Sequence, residues 1–181
     1  MIAGMRGSLL SHDALTADGP PQALAGTQQT RRSLFAWHVE IARDGGPTWP
    51  PRAVFDNIAV PFCRTLGFDV VPAAGNERSC RGVLQKHGAT TAVMVAFGWG
   101  VDPGATWRES VLSGIAAGAR WCYCFAGPTI RVYDAFRTHS RRFTEFDLAI
   151  VCTNPETLAV VWPLLADVAT LDNAVLRSER H

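Results

Sequence analysis

Long hydrophobic runs are missing from this sequence. The longest, residues 89–100, is about strand length and contains Thr90 and Thr91, well short of the roughly 18–20 uncharged residues a membrane-crossing helix requires, so no membrane partner is expected. The first ten residues hold one arginine and no apolar run followed by a small-residue cleavage site. A secretory signal is therefore unsupported, and the cytoplasm is the expected compartment. Lysine is almost absent: 16 of the 17 basic residues are arginine, Lys86 is the exception, and 16 acidic residues leave a net charge of +1. No global positive field advertises nucleic acid. The five cysteines, Cys63, Cys80, Cys122, Cys124 and Cys152, form an odd, unclustered set, unlike the dense even pattern of secreted disulfide scaffolds, and are read as reduced and mostly buried.

Several chemical signatures are missing too. No Gly-x-Ser-x-Gly elbow occurs, and no Walker pattern. Gly98-Trp99-Gly100 begins like a dinucleotide loop, but Pro103 stands where the third glycine is needed, which disfavours nucleotide binding. No cofactor is expected, and no metal: Cys122 and Cys124 share a strand face, but Trp-Cys-Tyr-Cys-Phe reads as core packing.

What is present is the balance of a globular domain, 181 residues with 48% hydrophobic and 18% charged, enough for one sizeable core. Residues 1–30 mix Gly, Pro, Ser, Thr and Gln with little periodicity and are expected to form a flexible or loosely docked arm. Helical spacing predicts a helix over residues 31–43 and a second from Pro50-Pro51 to Gly67, kinked at Pro61. A short strand over residues 68–71 follows. A hairpin over 80–86 and 90–97 turns at His87-Gly88, and its second arm is apolar enough for a central buried strand. Asp102-Pro103 predicts a helix start, with Trp107, Val111 and Ile115 as its stripe and Gly118 as its stop. A second hairpin spans 120–125 and 129–134, a strand covers 143–150, and Asn154-Pro155 starts a helix in which Pro163 predicts a kink. Residues 169–181 read as a polar tail or linker. The expected architecture is α/β (α+β), one domain over residues 31–168 with a mixed β-sheet flanked by helices.

Two local features carry candidate chemistry. Glu145 and Asp147 share a face of the expected strand and form the best carboxylate pair for acid–base work, with a half-exposed strand as the plainer explanation. The run Arg137-Thr138-His139-Ser140-Arg141-Arg142 is the densest charge feature. Its guanidinium forks match phosphate oxygens; alternatively it is a solvated loop whose arginines pair with Glu145, Asp147 or Asp134.

Residues 118–148 hold Trp121 in a strand, the turn glycine Gly127, Arg131-x-Tyr133, and Phe143 with Phe146-Asp147-Leu148. This succession resembles the N-terminal nuclease-like region of single-chain type IIG restriction–modification enzymes and related phage-defence DNA methyltransferases. Leu66-Gly67-Phe68 and Trp107-Arg108-Glu109 are in keeping, and the likeness covers residues 50–166. It implies a restriction-endonuclease-like fold, double-stranded DNA as ligand, and a DNA methyltransferase subunit or domain as partner. Arg131 then joins Arg137, His139, Arg141 and Arg142 as the expected DNA-contacting set. An active member holds a metal with an Asp opening the first arm of the hairpin and Glu-x-Lys on the second, because phosphodiester hydrolysis needs carboxylates for the cation. Here the arms read Cys80-Arg81-Gly82-Val83-Leu84 and Thr91-Ala92-Val93-Met94-Val95-Ala96-Phe97. Neither has a carboxylate. Asn154-Pro155-Glu156 likewise departs from the methyltransferase Asn-Pro-Pro-aromatic motif at its third position. The implied function is a non-catalytic, pseudoenzyme-like module of a restriction–modification or phage-defence system, a fragment or accessory of something larger. The alternatives are a protein-interaction domain and a metal-dependent nuclease with an unorthodox site at Glu145 and Asp147.

Overall fold

The computed structural model describes residues 2–16 and 27–180. Seven strands form one mixed sheet: β1 (Met5–Gly7), β2 (Asp69–Ala73), β3 (Ser79–Lys86), β4 (Ala89–Phe97), β5 (Trp121–Phe125), β6 (Thr129–Asp134) and β7 (Phe143–Asp147). Their order across the sheet is β1-β7-β6-β5-β4-β3-β2. Every neighbouring pair is antiparallel except β4 and β5, which run parallel. A parallel pair needs a crossover. Here α5 (Trp107–Ala116) supplies it.

The two faces of the sheet are covered unequally. On one lie α2 (Thr27–Asp44), α3 (Pro51–Val54), α4 (Val60–Thr65), α6 (Leu148–Thr153), α7 (Pro155–Ala166) and α8 (Val168–Ser178), whose Leu34, Val54, Phe62, Val151, Leu165 and Leu171 bury against Met94, Trp121, Tyr123 and Phe125. Among the described residues, α5 is the helix that covers the other face. Its Val111 packs with Val95, Phe97, Cys122, Cys124 and Tyr133 in a smaller second core. The even- and odd-numbered residues of β4, β5 and β6 separate between the two cores, as strand alternation requires.

Local chemistry accounts for most of these elements. The β3–β4 turn is two residues long, and both His87 (φ 51°) and Gly88 (φ 76°) have positive φ, the geometry a two-residue hairpin prefers. Around Pro61 the helix widens into a π-helical turn, Phe55–Ala59, in which the Val60 amide reaches back to the Phe55 carbonyl. Proline offers no N–H to the carbonyl four residues earlier, that of Asn57. The Trp37 indole donates to that carbonyl instead, at 3.0 Å. Gly98-Trp99-Gly100, read above as a failed dinucleotide loop, is a packing device. A Cβ on Gly127 (φ 74°) would sit 2.7 Å from the Trp99 ring, and Trp99 meets Trp49 edge-on at 5.9 Å.

Four sequence expectations are corrected. The arm expected over residues 1–30 holds β1, paired with β7, and a short helix α1 (His12–Thr16); residues 17–26 lie outside the described residues, as does residue 1. The tail expected from residue 169 is helix α8, which buries Leu171, Ala174 and Val175. The α5 helix starts at Trp107 with Thr106 as its N-cap residue, while Asp102 closes a turn by accepting the Gly104 amide at 2.9 Å. The strand expected over 143–150 stops at Asp147, whose carboxylate accepts the amides of Ala149 and Ile150 and so caps α6. Pro163 lies inside α7 as expected, and the helix runs on to Ala166 and then meets α8 at 106°. No single helix among the described residues is long and apolar enough to cross a membrane.

Candidate nucleic-acid interface

The β6–β7 connection carries the charge cluster. The Arg137 carbonyl accepts both the amide and the hydroxyl of Ser140, each at 3.1 Å, and the Arg142 amide donates to that hydroxyl. Arg141 adopts a left-handed φ of 48°, a conformation uncommon outside glycine and the short polar residues. The guanidinium of Arg141 lies over the Trp107 ring on the α5 face, 5.0 Å from the centroid. Arg137, His139, Ser140 and Arg142 line a depression of about 450 Å³ with Leu9, Ser178 and Glu179.

The expected arginines therefore divide by environment. Arg137 pairs with Glu179 and approaches Asp134 at 3.8 Å, so its charge is largely offset. His139, Arg141 and Arg142 are exposed. Neither Arg141 nor Arg142 forms an ion pair among the described residues. Arg131 is corrected: it is 7% exposed. It donates through Nε and Nη2 to Glu145 Oε2 at 2.9 and 2.6 Å, and it stacks on Phe143 at 3.9 Å. A buried guanidinium already held by a carboxylate is not available to a phosphate. The loop arginines, moreover, do not pair with Glu145 or Asp147; only Asp134, among the three acids considered, is approached.

The carboxylate pair is also accounted for. Glu145 is 2% exposed and sits between Arg131 and Arg6, and Asp147 is spent on the α6 cap. Strand register makes this arrangement one element of a longer row. Arg6, Glu145, Arg131, Cys124, Val95 and Arg81 stand opposite one another across β1, β7, β6, β5, β4 and β3. The apolar centre of the row lies under α5, and both ends are charged. Sequence reasoning gave Arg6 no role and Glu109 only a place in the Trp107-Arg108-Glu109 likeness; strand pairing and the placement of α5 bring them to their partners.

At the start of β3, one carboxylate does approach the hairpin arm. Glu109 of α5 accepts from the Ser79 hydroxyl and from Arg81 Nη2, the latter at 2.9 Å. Burial pushes its pKa up, but the hydrogen bonds from Ser79 and Arg81 and the Arg81 charge outweigh that and hold it below the ordinary glutamate value. Among the described residues no group of three His, Cys, Asp or Glu side chains converges as a metal would need. Cys122 and Cys124 are fully buried in the second core, where burial pushes the Cys124 thiol up to about 11. Thr106 is its polar neighbour, 3.6 Å away. No family model matches the chain, and searches of curated proteins and of solved structures likewise find no match.

Proposed function

We propose that the protein is a non-catalytic, nuclease-like module of a DNA restriction–modification or phage-defence system, contacting duplex DNA through the β6–β7 loop. The observation that carries this reading is the convergence of His139, Ser140 and Arg142 on one depression, with Arg141 exposed beside it and neither Arg141 nor Arg142 neutralised by a carboxylate. Guanidinium, imidazole and hydroxyl groups are the usual backbone-contacting set, and they position a protein on DNA without reading sequence. The motif stretches that resemble type IIG enzymes occupy adjacent strands, β5, β6 and β7, around the Gly127 turn, in keeping with a restriction-endonuclease-like fold. The hairpin that would carry nuclease carboxylates is β3–β4, and neither strand contains Asp or Glu. Five unpaired cysteines suit a reducing cytoplasm.

A second reading, docking on a methyltransferase subunit or domain, is favoured by exposed apolar residues on two helices: Phe35 and Val39 one turn apart on α2, and Leu112 and Ile115 on α5. Fluorescence anisotropy with a labelled duplex at low and moderate salt tests the DNA reading. Two phosphate contacts predict a slope of about −2 in log affinity against log salt. Arg141→Ala/Arg142→Ala should flatten that slope and weaken binding, and Arg137→Ala should do less. No binding at low salt, or binding indifferent to all three arginines, removes the DNA reading and leaves the docking one, which light scattering of a mixture with the partner would then test.

A further inference from the structure

Among the described residues α5 is the one helix on its face of the sheet, and a groove of about 820 Å³ lies between that helix, the start of β3 and the loop after β4. We infer that this groove binds a small amphipathic anion, a phosphate or carboxylate head group on an apolar body. The volume lies within the roughly 300–1,000 Å³ of small-molecule sites. The floor and one wall are apolar: Phe97 at the end of β4, and Leu112 and Ala116 on α5. Leu112 is 57% exposed and Val101, across the opening, is 39% exposed, so the rim is apolar and uncovered.

The polar end of the groove is built around Arg81. Its Nη2 donates to Glu109, but its Nε is buried with no hydrogen-bond partner. A buried donor without an acceptor is costly; the rest of the guanidinium, on a side chain that is 35% exposed, is open to an anionic oxygen at the polar end of the groove. Arg78 and Arg108 stand exposed at the same end. The Asn76 side chain accepts the amides of Arg78 and Ser79 at 2.7 and 2.9 Å, which fixes the loop that presents Arg78. Three guanidinium groups face two carboxylates, Glu77 and Glu109. One positive charge is left over, which favours an anionic head group. The groove lies at the Arg81 end of the cross-sheet row, away from the Arg6 end, and the inference stands whether or not the β6–β7 loop binds DNA.

The probe is 8-anilinonaphthalene-1-sulfonate, an apolar body with an anionic head, titrated into the full chain with fluorescence as the readout. A saturable, one-site enhancement is expected. Arg108→Gln should weaken it about tenfold, as loss of one charge-assisted contact predicts, and Leu112→Asp should abolish it. Both positions are exposed, so an unchanged circular dichroism spectrum is expected and qualifies the comparison; Arg81→Gln serves as the inner variant where it folds. Sodium octanoate displacing the probe assigns a carboxylate head, and 5′-AMP displacing it assigns a phosphate. Absence of a saturable signal overturns the inference, as does displacement by neither competitor. Equal weakening by Arg142→Ala would place the site at the loop and overturn it as well.

Discussion

Arg131→Met removes the partner that holds Glu145 inside the sheet while leaving the carboxylate in place. Glu145 is 2% exposed, and its remaining partner, Arg6, has a side chain that is 73% exposed, so the surviving attraction is screened by water. Breaking a buried ion pair from one side costs about 3–5 kcal/mol; with Arg6 still near, the lower end applies, about 3 kcal/mol. That is more than a hundredfold in the folding equilibrium, at about 1.4 kcal/mol per tenfold. With a urea dependence of about 2 kcal/mol/M it moves the unfolding midpoint by about 1.5 M. The double variant Arg131→Met/Glu145→Leu removes the stranded charge and should regain at least half of the loss, because an apolar pair of similar volume replaces a buried ionic one at little cost. Urea unfolding followed by tryptophan fluorescence gives all four corners of the cycle. A single-variant loss under about 1 kcal/mol, or a double variant as unstable as the two single losses added, would refute the structural role. DNA anisotropy on the folded double variant separates the remaining possibility: unchanged affinity is expected, and a several-fold drop would return Arg131 to the DNA-contacting set.

Other consequences are as direct. Glu109 has a folded pKa below its unfolded value, so its contribution to stability is present above the unfolded pKa, about 4.3, and is lost as pH falls through the folded value. Urea midpoints of Glu109→Gln against wild type should differ at pH 7 and converge at the acid end, and a constant difference would argue against the Ser79–Arg81–Glu109 cluster. Leu171→Ala, in the segment that resembles a tail, should cost about 3 kcal/mol if α8 is part of the core; a loss below about 0.5 kcal/mol would restore the tail. In thiol labelling of the native protein, Cys80 should react first, being the only one of the five cysteines not buried, and slowly at neutral pH because burial and the nearby Asp56 carboxylate raise its pKa despite the opposing Arg52 charge. Cys63, Cys122, Cys124 and Cys152 should react only on unfolding, and rapid labelling of any of them by mass spectrometry would contradict the packing.

The strands were legible where chemistry is local. A positive-φ turn at His87-Gly88, the apolar run ending at Phe97 and the Ala126-Gly127-Pro128 corner each state their structure within a few residues. The misread segments have a local signal that two structures can use. Residues 148–152 are an unbroken apolar run, which strand and buried helix share, and the outcome rests on the Asp147 carboxylate capping two amides. Asp102-Pro103 fits a helix start and a turn equally well; the turn prevails where the Tyr133 hydroxyl donates to the Pro103 carbonyl at 2.8 Å, a contact from a strand thirty residues away. The α8 helix was within reach, since Leu171, Ala174 and Val175 follow a capping Asp167 at helical spacing, but the polar residues on its outer face dominate the composition.

The candidate site divides along the same line. Whether an arginine is exposed to a phosphate or confined by a carboxylate is decided across strands: the β6–β7 register brings Arg131 to Glu145, and the β3–β4 register brings Arg81 opposite Val95, in the row that α5 covers. Spacing along the chain places Arg131 and Arg141 in one basic neighbourhood. Register puts the first in the buried row and leaves the second on a twisted loop outside it. The same row explains why the two candidate sites lie apart: α5 is one helix wide, it shields the apolar middle at Cys124 and Val95, Arg6 and Glu145 stand at one end of the row, and at the other Arg81 meets Glu109 of α5 itself. The open flank at the β3 end becomes the groove, and at the other end the flank is closed by the β6–β7 loop, with Arg141 resting on Trp107. Trp107→Ala should therefore release Arg141 without disturbing the groove, lowering DNA affinity if that arginine needs its stacked position and leaving probe binding at Arg108 unchanged; loss of both together would mean that α5 itself had shifted.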